Sequence, residues 1–221
     1  MQGKLDISLG ETLDANRGFA RELMRAFSAK MGKALWAVFA DPGEAKLAAK
    51  AFTGGASGSL PFRVTSIKEA LGKRAAADGG CDLQLVVQPG FNIDEWIQLD
   101  TLYAAGAKAR QAAGAAGQPS MVVLNGSLDK VRGGYYPKLV YPGLHAAKDR
   151  FIKNFEPVYY LKALPEGWLF RRYPEDWQVI YAERGSDPVV LQTSSTRPEY
   201  NNAAKLIKAA ALERQMIRRQ L

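Results

Sequence analysis

The segment ALWAVFA, Ala34–Ala40, is apolar at every position. A strand with one wet face alternates polar and apolar residues. An unbroken apolar run of strand length belongs to a strand covered on both faces, and such strands are mostly parallel, with helices above and below. Parallel neighbours need crossover connections, usually helical. The flanking sequence supplies them. Upstream, Glu11–Lys33 carries Leu13, Phe19, Leu23, Met24, Phe27 and Met31 at spacings of three and four, the pattern of an amphipathic helix. Downstream, Asp41-Pro42-Gly43-Glu44 opens a second helix, with Asp41 as cap, Pro42 in the first turn and Glu44 at the capping-box position.

The alternation continues. Thr53–Pro61 is a Gly/Ser-rich break, FRVTSI a second strand, and KEALGKRAAADGG a short helix ending in glycines. DLQLVV, Asp82–Val87, is a third strand bounded by Gln88-Pro89-Gly90. Asn92-Ile93-Asp94-Glu95 reads as a capping box for a helix to about Ala113, with Ile93, Trp96, Ile97, Leu99, Leu102 and Tyr103 mostly on one side. SMVVLN, Ser120–Asn125, is a fourth strand. Helix and strand in turn predict a mostly parallel sheet with right-handed crossovers.

Beyond Asn125 the rhythm changes. Gly126–Gly143 is a Gly/Tyr/Pro loop, and a short helix near Leu144–Asn154 follows. PVYYLKA, GWLFRRY, QVIYAE and PVVLQT are short strands separated by the turn sequences LPEG, PEDW and RGSD. They predict an antiparallel meander that continues the same sheet. A last helix closes the chain, with Thr196 as cap and Glu199 three residues on. The expected architecture is α/β: a single three-layer domain, a Rossmann-like sheet extended by the meander, then the closing helix. Residues 1–33 form a helical segment packed on it, and 34–221 the domain itself.

Composition excludes several classes. No apolar run approaches the ~20 residues of a membrane-spanning helix. Cys81 is the only cysteine and His145 the only histidine, so no intrachain disulfide forms and a tetrahedral zinc site lacks its usual ligands. No metal and no cofactor are expected. There is no GxxxxGK[ST] loop and no GxGxxG turn, hence no sequence support for a nucleoside triphosphate or dinucleotide. The net charge of +8 allows nucleic acid as a partner without requiring it, because Lys and Arg are dispersed. The densest basic stretch, Arg214–Leu221, reads as a solvated last turn suited to the helix dipole. The N-terminal MQGKLDISLGE has neither the apolar core of a signal peptide nor the Arg/Ser-rich, acid-poor make-up of a transit peptide.

Open parallel sheets bind ligands beyond the carboxyl ends of their strands. Three strands here end in polar residues: Asp41, Gln88 and Asn125. They are the candidate ligand-binding residues, and each also has a structural reading: a helix cap, a residue before a Pro-Gly turn, and an Asn-Gly turn pair. The loop Val131–His145 is the candidate partner contact, through Tyr135, Tyr136 and Tyr141, or a loop whose rings pack on the sheet edge. No acid pair stands at a spacing that singles out general acid–base catalysis.

The stretch WLFRRYPEDWQVIYAE, Trp168–Glu183, crowds aromatic and basic residues. Strand alternation puts Trp168, Phe170 and Arg172 on one face, Leu169, Arg171 and Tyr173 on the other, and Trp177, Val179 and Tyr181 together. This is a hairpin core, or an RNA-stacking surface built on Arg171 and Arg172. Here the sequence resembles the plant, algal and cyanobacterial DUF1995 family. The resemblance rests on FEPVYYLKAL, on the Arg171-x-Tyr173-Pro174-x-x-Trp177 motif within LFRRYPEDWQVIYAE, on TRPEY, on SMVVLNG and on DLQLVVQPGF. It covers nearly the whole chain and departs at Gly126, where the family pattern calls for proline. It implies a chloroplast setting, stromal or at the thylakoid surface. It also implies a non-enzymatic assembly or accessory role with protein partners such as photosynthetic complex subunits, since one plant member resembles a photosystem II assembly helper. In another arrangement the domain follows a chloroplast adenylate kinase, but this chain lacks that enzyme's phosphate loop. Alternatives are a small-molecule or nucleotide-binding regulatory domain and an RNA-binding protein.

Overall fold

The computed structural model describes residues 8–31, 34–53, 60–72, 81–133, 135–183 and 185–220. They form two compact units, residues 1–154 and 155–221.

In the first unit, α1 (Leu9–Met31) leads into β1 (Leu35–Phe39), then α2 (Pro42–Thr53), β2 (Arg63–Ser66), α3 (Ile67–Ala70), β3 (Leu83–Val87), α4 (Asp94–Ala112), β4 (Ser120–Leu124), α5 (Leu128–Arg132), α6 (Pro142–Arg150) and a 3₁₀ turn at Ile152–Asn154. The four strands are all parallel, in the order β2-β1-β3-β4. β1 and β3 are buried at every residue, as the unbroken apolar run of β1 calls for. Leu35, Ala37, Phe39, Leu83, Leu85 and Val87 share one face with Ala20 and Met24 of α1 and Ala45, Ala48 and Phe52 of α2. Trp36 and Gln84 face the other way, toward α3 and Leu102, Ala105 and Gly106 of α4. The parallel sheet is thus sandwiched between two helical layers.

Local chemistry departs from the sequence reading at several termini. α1 starts at a capping box the periodicity did not flag: Ser8 Oγ accepts from Glu11 N (3.2 Å) and Glu11 Oε2 from Ser8 N (2.8 Å). Its buried stripe is Asn16, Ala20 and Met24, while Phe19 and Met31 are exposed. Asp41 caps α2 as expected, its Oδ1 accepting from Gly43 N and Glu44 N; Glu44 pairs with Arg17. The Asn92–Glu95 box does not form. Asn92 Oδ1 accepts from Asp94 N (3.0 Å), and Glu95 Oε2 turns back to Gly90 N (2.6 Å), because the Pro89-Gly90 turn exposes that amide. α3 is a single turn, capped reciprocally by Ser66 and Glu69; the rest of the helix expected there, and most of the Thr53–Pro61 break, lie outside the described residues. The Gly126–Gly143 loop contains the short helix α5. Asp100, buried on α4, accepts from Arg150 Nε of α6 at 2.6 Å.

In the second unit, β5 (Tyr159–Leu164), β6 (Gly167–Arg172), β7 (Trp177–Tyr181) and β8 (Val189–Ser194) pair antiparallel in sequence order, and α7 (Tyr200–Gln220) follows. The expected continuation of one sheet is corrected. The meander is a separate sheet: among the described residues β5–β8 pair only with one another, and β4 is an edge strand of the parallel sheet, separated from β5 in the chain by helices. Its inner face, Leu164, Leu169, Trp177, Val179 and Tyr181, packs on Ala203, Ile207 and Ala211 of α7. α7 starts at Tyr200, not at Thr196, whose hydroxyl and amide both contact Ser194 Oγ. Arg214, half-buried, lies over the Tyr181 ring at 5.2 Å; the Arg218 side chain lies outside the described residues.

Candidate functional site

In the strand order β2-β1-β3-β4 the chain leaves β1 toward β2, then crosses back over β1 to β3. Connections therefore depart in opposite directions at the carboxyl ends of β1 and β3. That divergence is where open α/β sheets take ligands. A crevice of about 210 Å³ opens there. Phe39 and Val87, both buried, belong to its floor; Leu9 and Leu13 of α1 and the exposed Phe91 belong to its walls. Its polar lining is Asn16, Asp41, Glu44 and Gln88.

Two of the sequence candidates, Asp41 and Gln88, line this crevice; the third reaches it through a residue the sequence reading passed over. Asn125 donates its side-chain amide to Asn16 Oδ1 at 2.6 Å, and Asn16 donates its own to Gln88 Oε1. Asn16 is buried, so this amide ladder ties α1 to the ends of β3 and β4. Gln88 and Asn125 both take left-handed backbone, with φ of 50° and 52°. Asparagine, with its short polar side chain, tolerates that region better than most non-glycine residues. The turn lets Gln88 N donate to Leu124 O at 2.7 Å while its side chain swings toward α1. Asn16 was missed because helix periodicity is read from apolar residues; its spacing of four and eight from Ala20 and Met24 was the available signal.

The charges around the crevice are mostly acidic. Asp41 Oδ1 occupies the first amides of α2 at 2.7 and 3.1 Å. Arg17 is shared between Asp14 and Glu44. Gly126 sits beside the rim for steric reasons: a Cβ there would stand 2.6 Å from Val123 Cγ1 and 3.0 Å from Trp96 Cη2. Among the described residues no group of three or more His, Cys, Asp or Glu could hold a metal ion.

The tyrosine loop is partly self-packed. Tyr136 stacks edge-on with Tyr135 (5.1 Å) and Tyr141 (5.3 Å), and its carbonyl meets His145 Nε2 at 2.8 Å. Tyr136 and Tyr141 are half-buried, while Tyr135, Leu139 and Val140 are exposed.

In the second unit the Arg171–Trp177 motif forms a clamp. Arg171 lies over the rings of Tyr173 (5.7 Å) and Trp177 (5.3 Å) and pairs with Glu156. Arg197 lies over Tyr160 (4.7 Å) and Trp177 (5.6 Å), donates to Tyr160 Oη at 2.6 Å, and Tyr160 packs edge-on against Trp177. The Tyr173-Pro174 peptide is cis. Residues from FEPVYY, RRYPEDW and TRPEY thus interlock around one indole. These are the segments on which the resemblance to DUF1995 rests, and a family model of that domain, described as a domain of unknown function, matches residues 4–205. The chain belongs to the DUF1995 family. In this DUF1995 protein Trp177 of the motif contacts Arg197, three residues before α7 begins. No curated protein matches the chain. Among the described residues no helix is long and apolar enough to cross a membrane.

Proposed function

We propose that this DUF1995 protein is a non-enzymatic accessory factor that acts by docking a protein partner during assembly of a photosynthetic complex, photosystem II biogenesis included, in the stroma or at the thylakoid surface of a chloroplast. The observation that carries the docking reading is the outer face of the second sheet. On it Leu161 of β5 pairs in register with Phe170 of β6, Trp168 of β6 with Ile180 of β7 and Ile180 with Val190 of β8, while the Tyr159 ring meets Phe170 edge-on at 5.7 Å. α7 covers the opposite face. Tyr159, Leu161 and Val190 are between 50% and 65% exposed. Contiguous exposed apolar surface on a folded sheet marks an interaction site. β5 is also the edge of its sheet, so a partner strand can add to it. Tyr135, Leu139 and Val140 offer a second apolar contact. The photosynthetic setting is supported by the family resemblance.

The RNA reading has less support. Arg171 is spent on Glu156 and two rings and is not an open stacking cation; Arg172 is exposed and pairs with Glu175.

The test is affinity purification of the tagged protein from photosynthetic membranes and stroma, beside a Tyr159→Asp/Leu161→Asp double variant. The expected result is recovery of photosystem subunits or assembly helpers by the wild type and their loss with the variant, whose retained fold is checked by its melting temperature because both side chains also pack on Phe170. A wild-type protein recovered alone from both fractions, or a variant that retains the partner, would overturn the reading.

A further inference from the structure

The crevice between β1 and β3 is built differently from a phosphate site. Helix N-termini attract anions through unpaired amides. At α2 those amides already have an anion, the Asp41 carboxylate, with Oδ1 at 2.7 Å from Gly43 N and 3.1 Å from Glu44 N. Glu44 adds a second carboxylate, and no Lys or Arg lines the crevice among the described residues. An incoming phosphate or carboxylate would meet the Asp41 carboxylate, which already fills the helix amides, and a Glu44 whose partner Arg17 is itself taken up by Glu44 and Asp14.

What the crevice does offer is apolar wall plus one hydrogen-bonding edge. Phe39 and Val87 give a dry floor, and Phe91, 68% exposed, stands at the mouth as a ring that a bound ring can cover. Gln88 presents its Nε2 amide: its Oε1 is held by Asn16, and among the described residues Nε2 has no acceptor. Asp41 Oδ2 likewise accepts no hydrogen bond among the described residues, so donor and acceptor lie on one lining. The volume, about 210 Å³, is below the ~300–1,000 Å³ of drug-sized sites and suits a single ring system.

We infer that this crevice binds a neutral planar ring bearing an amide-like donor–acceptor edge, the class that includes nicotinamide and unphosphorylated nucleobases, with Gln88 donating to its carbonyl or ring nitrogen, Asp41 accepting its N–H, and Phe91 covering its face. The amide ladder Asn125–Asn16–Gln88 is the positioning device: it holds Gln88 Oε1 on α1 and leaves Nε2 turned to the ligand. The inference is independent of partner docking, which uses the outer face of the second sheet and Tyr135, Leu139 and Val140, none of which lines the crevice.

The discriminating probe is a pair of near-isosteres, nicotinamide and nicotinate, titrated into the full chain by protein-observed NMR. Nicotinamide is expected to shift the Gln88 side-chain and Phe91 signals saturably, and nicotinate to bind at least about ten-fold more weakly, since like charge is a specificity device. Phe91→Ser should weaken nicotinamide binding with no change in melting temperature, because the ring is exposed. Gln88→Glu, the same size with the donor removed, should weaken it further. Nicotinate binding as tightly as nicotinamide, no saturable shift with either probe, or Phe91→Ser binding like wild type would each overturn the inference.

Discussion

Asn125 donates to Asn16 across 2.6 Å, although 109 positions separate them in the chain. The contact joins the first helix to the end of the last parallel strand, and Gln88 extends it to the strand between. Removing the middle member leaves two amides without their partner. Asn16→Ala is expected to destabilise the protein by about 1–3 kcal/mol, the usual penalty for orphaned buried polar groups. Urea unfolding with the slope held in common measures it; a change below about 0.5 kcal/mol would mean the ladder contributes nothing net.

Two glycines should respond with opposite signs. At Gly167 in β6 a Cβ would lie 2.1 Å from the Ile180 carbonyl oxygen, a backbone atom of the paired strand that cannot move alone. Gly167→Ala should cost about 3 kcal/mol or more, the upper end of overpacking penalties. Gly18 lies within α1 with nothing within 4 Å of its would-be Cβ. Gly18→Ala should stabilise by roughly 0.5–1 kcal/mol through helix propensity. Thermal melts of the two variants decide both.

The Ser66–Glu69 capping box predicts an acid dependence. The Ser66 backbone amide, and then its hydroxyl, hold the Glu69 carboxyl below its ordinary value. A depressed folded-state pKa stabilises above the unfolded value, about 4.3, and that contribution is lost as pH falls through the folded-state value. Glu69→Gln retains an acceptor but no charge. Its deficit relative to wild type should be present at neutral pH and shrink toward zero in acid, which parallel melts across the range will show.

Cys81 is buried beside a cavity of about 60 Å³ lined also by Gln84 and Gly106, and burial pushes its thiol up from the ordinary value. It should react with a disulfide reagent at neutral pH only as fast as the fold opens. Labelling that accelerates in step with urea-induced unfolding is the expected result. Complete labelling of the native protein within seconds would show the thiol to be accessible.

Much of the architecture was legible because it follows from local patterning. The unbroken apolar run of β1 called for cover on both faces, and Asp41-Pro42 signalled a helix start. The RGSD and PEDW turns required antiparallel neighbours. Of the site, Asp41 and Gln88 were legible as polar strand ends. Asn16 was hidden because a single amide in a buried stripe looks like a defect in the pattern until its partners are known. The Arg171–Tyr173–Trp177 segment was visible as a motif, yet its purpose was not, since Arg197 and Tyr160 come from distant segments.

By itself the sequence determined most of the elements and the parallel-then-antiparallel division, because hydrophobic period and turn chemistry act within a few residues; the short helix α5 escaped it. Only the tertiary structure decided that the meander forms its own sheet, that β1 and β3 flank a crevice, and that Asn16, Gln88 and Asn125 share one hydrogen-bonded line. Those outcomes depend on which distant backbone edges and amides meet, and pairing at long range is set by the packing of whole elements.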